Sequence, residues 1–271
     1  MHDNAAPPAA GAITGPAGSE PEPAPFPLRL RLAGAAVHVY TASGSVLALL
    51  IVLAAFDGDA ATALWLGLAT LIIDGTDGML ARRLRVKETI PWFDGGRMDD
   101  IVDYLTYVFA PIVLLWTTGY LPDGPVGWVL AAIPLLASCY QFCRVDAKTS
   151  DHFFLGFPSY WNIVAFYIIV LDVGHVVVGI TLAVFSVLVF VPVRYVYPSR
   201  TRFLQGVTLA LTAAWLVAYA VLVAQLPDPH PAVVVASLAY LVYYWGLSFY
   251  LTARGAHRRR QAAASEAGQR A

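Results

Sequence analysis

Hydrophobic residues make up 58% of the 271 residues, charged residues make up only 13%, and the mean hydropathy is +0.64. A soluble globular domain carries about twice that fraction of charged residues. The composition therefore excludes an ordinary soluble domain and indicates a polytopic membrane protein. The net charge of −1 implies no nucleic-acid or other polyanionic partner.

The two ends of the chain differ in composition from its long apolar middle. Residues 1–27 are mostly Ala, Pro, Gly and Glu, which leaves little to bury, and they lack the basic start and apolar core of a signal peptide. We expect this segment to be a disordered tail. Residues 28–254 are predicted to form one membrane domain, and residues 255–271 a basic cytoplasmic tail.

Eight segments of the middle region are long and apolar enough to be membrane spans. A short lead-in of alternating Leu and Arg at residues 28–32 precedes the first of them. The predicted spans cover about residues 35–56, 60–82, 98–119, 126–143, 158–173, 176–196, 205–226 and 231–253. The expected fold class is an all-α polytopic membrane bundle of about eight transmembrane helices.

The positions of the basic residues test this topology independently of hydropathy. All 17 lysines and arginines lie in the lead-in, at the C-terminal end, or in and beside the connections between spans 2 and 3, 4 and 5, and 6 and 7. The alternate connections, near residues 57–60, 119–126, 172–176 and 226–231, contain none. The positive-inside rule therefore predicts that both termini and the basic connections are cytoplasmic.

Residues 73–107 stand out from the apolar sequence because they are rich in acids, bases and glycines. Asp74 and Asp77 are three residues apart, and Asp99 and Asp103 are four apart. These are helical spacings, so each pair points to one side of its helix. Two such helix turns facing each other would hold hard cations between them.

Four carboxylates at one depth near a bilayer are costly to ionise unless cations compensate them. Carboxylate oxygens suit Mg²⁺ and Mn²⁺, and the stretch contains neither the His nor the Cys that would indicate zinc. We therefore predict two Mn²⁺ or Mg²⁺ ions. The alternative is that these are helix-end acids at the water interface, paired with Arg82, Arg83, Arg85 and Arg97.

Small residues and an arginine accompany the acids in a regular pattern. It reads Asp74-x-x-Asp77-Gly78-x-x-Ala81-Arg82, then twelve residues, then Gly95-x-x-x-Asp99-x-x-x-Asp103. A glycine lets a ligand approach the backbone closely, and an arginine offers a fork of donors to a phosphate. The pattern predicts a site that handles phosphate groups as well as cations.

The chain resembles the CDP-alcohol phosphatidyltransferases, whose motif it matches at all eight fixed positions. The resemblance implies that the four aspartates of the pattern ligate the metals and that Asp103 also acts as general base on the acceptor hydroxyl. It implies that CDP-diacylglycerol is bound at Gly78, Ala81, Arg82 and Gly95. Asp94 and Asp100 are competitors for the ligand roles, although Asp100 lies about 100° round the helix from Asp99.

One departure from the family motif indicates which branch of the family the chain resembles most. The interval between Arg82 and Gly95, twelve residues long, is longer than in most of the family. It resembles the bacterial branch that transfers the phosphatidyl group directly to choline, as do residues 37–45, 146–167 and 191–200. The resemblance extends from about residue 30 to residue 250. It implies phosphatidylcholine and CMP as products, a bacterial inner membrane, an active site at the cytoplasmic face, and a homodimer.

A choline acceptor makes a separate physical demand, because its quaternary ammonium has no N–H donor and is held by aromatic faces backed by an acid. Aromatic residues at the predicted depth of the acids are therefore candidates. Those selected are Tyr104, Tyr107, Tyr140, Tyr160 and Trp161, with Tyr195 and Tyr197 at a similar depth. Aromatic residues are also common at any membrane interface, where they need no ligand.

Two other functions stay open at this stage. The same chemistry could use serine, inositol or a glycerol phosphate as the acceptor, and a basic cluster of Arg144, Lys148, Arg194 and Arg200 could bind a phosphorylated one. A cation-coupled transporter would also place acids within the membrane. It does not explain why the acids gather at one connection while the other spans lack charged residues.

The two cysteines, Cys139 and Cys143, are four residues apart on one predicted helix. That spacing suits a helix face better than a disulfide framework. We expect them to be small buried apolar residues.

Overall fold

The structure is a computed structural model that describes residues 26–269, except residues 148, 150–152, 199 and 202, with the backbone alone at residues 256 and 258–269. The predicted disordered tail lies almost wholly outside the described residues. Within them the chain forms ten α-helices, one π-helical segment and two short strands. In chain order these are α1 (Leu28–Phe56), α2 (Ala60–Arg83), α3 (Val86–Thr89), α4 (Gly95–Asp103), the π segment (Tyr104–Phe109), α5 (Ala110–Thr117), α6 (Pro125–Cys143), β1 (Phe153–Leu155), α7 (Trp161–Val170), α8 (His175–Phe190), β2 (Arg194–Val196), α9 (Gln205–Ala224) and α10 (Pro231–Gln269).

The prediction of an all-α polytopic membrane bundle is confirmed. Five helices of the described chain are long and apolar enough to cross a membrane, namely α1, α2, α6, α9 and the part of α10 up to Gly255. The third predicted span is present as α4, the π segment and α5 in direct succession. The fifth and sixth are the shorter apolar helices α7 and α8.

The predicted span over residues 176–196 is wrong at its C-terminal end. Helix α8 ends at Phe190, and Arg194–Val196 is strand β2 instead. Pro192 explains the early end, because proline lacks the N–H that would continue the helix and disfavours helical geometry at Val191. Strand β2 pairs antiparallel with β1, with Phe154 opposite Tyr195.

Helix α7 lies at the centre of the bundle. Eight of its ten residues are buried, and its length corresponds to about 15 Å. The Trp161 indole donates to Ser138 Oγ of α6 at 2.7 Å, and the Phe166 ring stacks on Tyr219 of α9 at 3.9 Å. The outer helices expose Val and Leu side chains, as expected of surfaces that face lipid.

The basic connections lie at one end of the bundle. Two contacts and a strand pairing join them: Arg85 lies over the Phe26 ring, the Arg194 amide donates to Thr252 Oγ1, and β1 pairs with β2. At the opposite end, Tyr120 donates to Asp172 at 3.0 Å, which links two connections without Lys or Arg. This separation agrees with the predicted topology.

Helix α2 begins at that opposite end with an aspartate cap. The exposed Asp59 carboxylate accepts a hydrogen bond from the Thr62 amide at 2.9 Å. Hydrogen bonds from Thr62 lower the pKa of Asp59 below its ordinary value. The cap therefore stays ionised at neutral pH and satisfies one of the free amides of the first turn.

Small residues on α1 allow α4 to approach it closely. A Cβ at Gly44 would lie 2.6 Å from Val102 Cγ1. Real Cβ atoms do not come so near, so the absence of a side chain at this position sets the distance between the two helices. Thr41, one turn earlier on α1, is buried in the same interface.

The expectation of buried cysteines is wrong. Cys139 and Cys143 are both free thiols on an exposed face of α6. Cys139 Sγ donates to the Tyr104 hydroxyl at 3.3 Å. In a membrane bundle the apolar side of a helix faces lipid as readily as the core, so apolar character alone does not predict burial.

Candidate active site

Three aspartates from two helices form a cluster of carboxylates. Asp74 of α2 and Asp99 and Asp103 of α4 each offer an oxygen, and these atoms all lie within 4.8 Å of one another. We call these three residues the acid cluster. They line a cleft between α1, α2 and α4, whose wall includes Thr41 and Gly44. Oxygens at this spacing fit hard divalent cations, so the acid cluster can hold a metal ion.

Asp77, the fourth acid of the pattern, lines the same cleft, and its side chain is more buried than those of the acid cluster. Its side chain is buried, and its Oδ2 accepts a hydrogen bond from Thr41 Oγ1 at 2.7 Å. Thr41 therefore orients one carboxylate oxygen, as outer hydrogen bonds commonly do for metal-binding carboxylates. The structure does not gather Asp77 into the acid cluster itself.

The π segment begins directly after Asp103. Tyr107 lies in this segment, and its hydroxyl donates to Asp74 Oδ2 at 2.7 Å. The bond therefore connects the span that carries Asp99 and Asp103 to helix α2, which carries Asp74. The Tyr107 side chain is buried and fixes the orientation of the Asp74 carboxylate. Short π segments within α-helices are frequent at functional sites.

The residues predicted to contact the nucleotide phosphates lie on the last turns of α2. The Arg82 guanidinium lies back over Gly78, since a Cβ at that glycine would be 3.2 Å from Arg82 Nη1. Arg82 is exposed near the C-terminal end of α2, one turn after Gly78. Ala81 is half-buried beside it. The last turns of α2 thus place the Arg82 guanidinium near the aspartates of the same helix. Because Gly78 has no side chain, a ligand can approach the helix between them.

Gly95, the first residue of α4, packs against a histidine of α1. A Cβ there would lie 2.6 Å from His38 Cε1. The His38 ring also contacts Phe93 at a centroid distance of 4.5 Å, and its Nε2 atom is buried without a hydrogen-bond partner. Gly95 therefore lets α4 start close to α1, which places the acids of α4 opposite Asp74.

We expect Gly95→Ala to lower the activity predicted from the acidic pattern by about 10² through displacement of α4, because a shift near 1 Å in a catalytic group has that effect. The double variant Gly95→Ala, His38→Ala should recover most of the loss, since it removes the atom in conflict. The measurement is kcat for each purified variant.

Gly96→Ala is the matched control, because a Cβ at that position meets only an ordinary contact of 3.5 Å with Asp94 Oδ1. Its activity should stay near the wild-type level. A double variant as inactive as Gly95→Ala alone would contradict the packing explanation and favour direct contact of Gly95 with a ligand.

The two competing aspartates have different surroundings. Asp94 precedes α4 as its cap, and its Oδ1 accepts from the Arg97 amide at 3.0 Å. Asp100 is half-buried, lies outside the acid cluster and has other partners. The acid cluster gathers Asp74, Asp99 and Asp103, and neither Asp94 nor Asp100 belongs to it.

Several curated proteins are similar to this chain over most of its length. A phosphatidylcholine synthase of Legionella pneumophila is 41% identical over 217 residues, which is 78% of this chain and 85% of that protein. A phosphatidylcholine synthase of Pseudomonas aeruginosa is 39% identical over 213 residues, covering 78% and 89%. One of Agrobacterium fabrum is 37% identical over 219 residues, covering 79% and 90%.

This chain belongs to the phosphatidylcholine synthase family. No family model matches it, so the assignment depends on these relatives. The similarity covers 78 to 79% of this chain and 85 to 90% of each relative, and it agrees with the family resemblance of the acidic pattern.

For a phosphatidylcholine synthase, the aromatic residues near the acid cluster are of particular interest. Tyr107 and Tyr160 are brought together, with ring centroids 6.0 Å apart. Tyr107 bonds Asp74, so this pair adjoins the acid cluster. Among the predicted choline residues, these two are the ones that the described contacts connect to the acids.

The other three predicted choline residues have contacts elsewhere. Tyr104 donates to the Leu135 carbonyl at 3.2 Å and packs against Phe142. Tyr140 lies on the exposed side of α6, against Phe190. The Trp161 side chain is fully buried and its indole N–H is bonded to Ser138. Their roles in choline binding stay predictions.

Sequence reasoning missed Thr41 and His38, which support Asp77 and Gly95 from α1. Both belong to the segment 37–45 that carries part of the family resemblance. Polar residues spaced at Tyr40, Thr41 and Ser45 along an apolar helix were the available signal. Tyr40 also contributes, since its hydroxyl lies 2.9 Å from Thr76 Oγ1 of α2.

Proposed function

We propose that this chain transfers the phosphatidyl group of CDP-diacylglycerol to choline, giving phosphatidylcholine and CMP. The observation that carries the proposal is the acid cluster, built from the aspartates of the family pattern and next to aromatic rings. The names of the relatives support the choice of reaction.

Asp74, Asp77, Asp99 and Asp103 would hold two Mn²⁺ or Mg²⁺ ions. When bound, the ions neutralise the pyrophosphate and stabilise CMP as a leaving group. The chain's own contribution is to fix the carboxylates in advance. Thr41 orients Asp77 and Tyr107 orients Asp74, each through a hydrogen bond of 2.7 Å.

Asp103 is the general base of the proposed reaction. It accepts the proton of the choline hydroxyl while the hydroxyl oxygen bonds to the phosphorus that carries diacylglycerol. The bond from that phosphorus to the bridging oxygen breaks, and the electron pair leaves with CMP. Asp103 suits this role because it is the last residue of α4, four residues before Tyr107 of the aromatic pair, whereas Asp99 lies one turn earlier.

Arg82, Gly78 and Ala81 would face the CDP phosphates, and Gly95 the nucleotide. The position of Arg82 over Gly78 supports this arrangement, since both can meet one phosphate. The lipid substrate would enter laterally from the bilayer. A cleft of about 460 Å³ between α1 and α4, lined by Ser45, Arg97 and Ile101, shares Val102 with the cleft that the acid cluster lines.

We assign the acid cluster to the cytoplasmic face of a bacterial inner membrane, with both termini on that side. The support is the gathering of the basic connections at the end of the bundle that carries the cluster. There CMP and choline are exchanged with the cytosol. The tails at residues 1–27 and 255–271 would flank the membrane domain, and the enzyme would act as a homodimer.

Purified protein supplied with CDP-diacylglycerol, labelled choline and Mn²⁺ should form labelled phosphatidylcholine and release an equal amount of CMP. Removal of the metal with EDTA should abolish both, and Mn²⁺ or Mg²⁺ should restore them. Unlabelled choline should compete, whereas serine, inositol and glycerol 3-phosphate should not.

Each alternative has its own outcome in this assay. Competition by another alcohol with no labelled product from choline would retain the chemistry but change the acceptor. Choline uptake into proteoliposomes without CMP release would replace the transferase by a transporter.

A further inference from the structure

A continuous row of aromatic rings leads away from the acid cluster. It begins at Tyr107, which bonds Asp74, and continues to Tyr160 at a centroid distance of 6.0 Å. Phe154 follows at 6.4 Å from Tyr160, and Tyr197 stacks on Phe154 at 4.6 Å. Phe154, Tyr160 and Tyr197 are all partly exposed. We call these three residues the aromatic wall.

The aromatic wall is built by the two strands and the start of α7, none of which carries the acidic pattern. Phe154 is the middle residue of β1, Tyr197 follows β2, and Tyr160 precedes α7. The strand pairing puts Phe154 opposite Tyr195, so Tyr197, two residues later, is the diagonal neighbour of Phe154. The wall is therefore a separate structural element placed against the acid cluster.

Tyr244 of α10 contacts both β2 and Tyr160. Its buried hydroxyl donates to the Val196 carbonyl of β2 at 3.0 Å, and its ring lies 6.5 Å from that of Tyr160. It thus connects the strand that positions Tyr197 to the ring of Tyr160. We assign Tyr244 as a positioning residue of the wall.

We propose that the aromatic wall binds the quaternary ammonium of the acceptor alcohol and so selects choline over less methylated amines. The inference rests on the proposed function. Cationic methyl groups are attracted to the negative faces of aromatic rings, and they need no hydrogen-bond acceptor. A primary ammonium such as that of ethanolamine needs acceptors, which ring faces supply poorly.

The short length of choline limits how far its cation can lie from the reacting hydroxyl. Two carbon atoms separate the hydroxyl of choline from its nitrogen, so its cation must lie beside the group that takes the hydroxyl proton. Of the wall residues, Tyr160 is the one linked to the acids, because its ring lies 6.0 Å from that of Tyr107, whose hydroxyl bonds the Asp74 carboxylate. The acid cluster therefore backs the cation site with negative charge, while the rings supply its surface.

The test measures KM for choline in Phe154→Leu and Tyr197→Leu. Loss of one cation–π contact of about 1 to 2 kcal/mol should raise this KM about 5- to 30-fold. The kcat at saturating choline and the KM for CDP-diacylglycerol should stay within about twofold, because the contact is equal in the ground and transition states. Preference for choline over N,N-dimethylethanolamine should fall, and Tyr197→Phe should keep it.

Phe203→Leu is the matched control. Phe203 is another aromatic residue near the same end of the bundle, but it packs against Tyr250 and Arg254 and lies outside the wall. Its KM for choline should be unchanged. An equal rise in the control, or unchanged KM and selectivity in both wall variants, would overturn the inference.

A second measurement keeps the test valid if the leucine variants do not fold. Phenylalanines with one, two or three ring fluorines at position 154 preserve shape and weaken the negative face of the ring. KM for choline should rise with each fluorine, and a flat series overturns the inference. Failure of the wild-type protein to make phosphatidylcholine would instead refute the proposed function, so the two failures are distinguishable.

Discussion

Replacing Asp103 by asparagine should lower kcat by about 10² to 10⁴, the usual contribution of a general base. Asparagine has nearly the same size as aspartate and keeps one oxygen, so the fold and the packing of α4 should persist. It cannot accept the hydroxyl proton of choline. The measurement is the rate of labelled phosphatidylcholine formation at saturating substrates over a series of Mn²⁺ concentrations.

The metal series separates two roles of the same residue. A general base cannot be replaced by more metal, so activity of Asp103→Asn should stay low at every Mn²⁺ concentration. Asp100→Asn is the control, because this neighbouring acid lies outside the acid cluster, and its rate should stay close to that of the wild type. Full recovery of Asp103→Asn at high Mn²⁺ would show that the residue acts only as a ligand.

Substitution of Gly156 by alanine should destabilise the membrane domain by about 2 to 5 kcal/mol, which sums the cost of left-handed backbone at a non-glycine residue and the cost of overpacking. Gly156 has φ +83°, and a Cβ there would lie 2.1 Å from the Val189 carbonyl oxygen. That oxygen belongs to the backbone of α8 and cannot move aside. Thermal or denaturant unfolding in detergent measures the effect.

Gly206→Ala provides the comparison for stability. This glycine lies in the first turn of α9 with nothing within 4 Å of the added carbon, so the change should be neutral or slightly stabilising. An equal loss in both variants would mean that Gly156 has no special position. Since Gly156 directly follows β1, its alanine variant should also raise KM for choline through movement of Phe154.

The acid cluster was predictable because its information is local. Helical spacing places Asp99 and Asp103 on one side of a helix, and the cost of unpaired acids near a membrane requires that they meet a partner. These two facts bring Asp74 to them without knowledge of the fold. The eight apolar segments were predictable for the same reason, since hydropathy is read along the chain.

The supports of the cluster were not predictable, because each depends on a contact between distant segments. His38 under Gly95 and Thr41 beside Asp77 come from α1, and nothing in their own spacing indicates those partners. Strand β2 was hidden in an apolar run that suits a helix equally well. Its pairing with β1 depends on residues about forty positions away.

The predicted choline-binding residues show the same contrast between local sequence information and contacts that depend on the fold. Aromatic residues are abundant in this chain, at 13%, so closeness to Asp103 for Tyr104 and Tyr107, and predicted depth for the others, selected five that the fold then separates. Tyr107 and Tyr160 meet beside Asp74, whereas Trp161 packs into the core although it is adjacent in sequence to Tyr160. Adjacent residues such as Tyr160 and Trp161 point in different directions, and the composition of a segment does not predict which of them faces the site.

The π segment after Asp103 changes the phase of the third span. Each π turn takes one residue more than an α turn, so the side chains of α5 are rotated by about 100° from where an uninterrupted helix would put them. Helix α4 can therefore turn its acids to the cleft while α5 turns Leu114 and Leu115 to the core. Deleting a single residue between Tyr104 and Phe109 would let a regular α-helix join the two halves with both faces retained, whereas winding all the present residues into an α-helix would turn one half away from its partners.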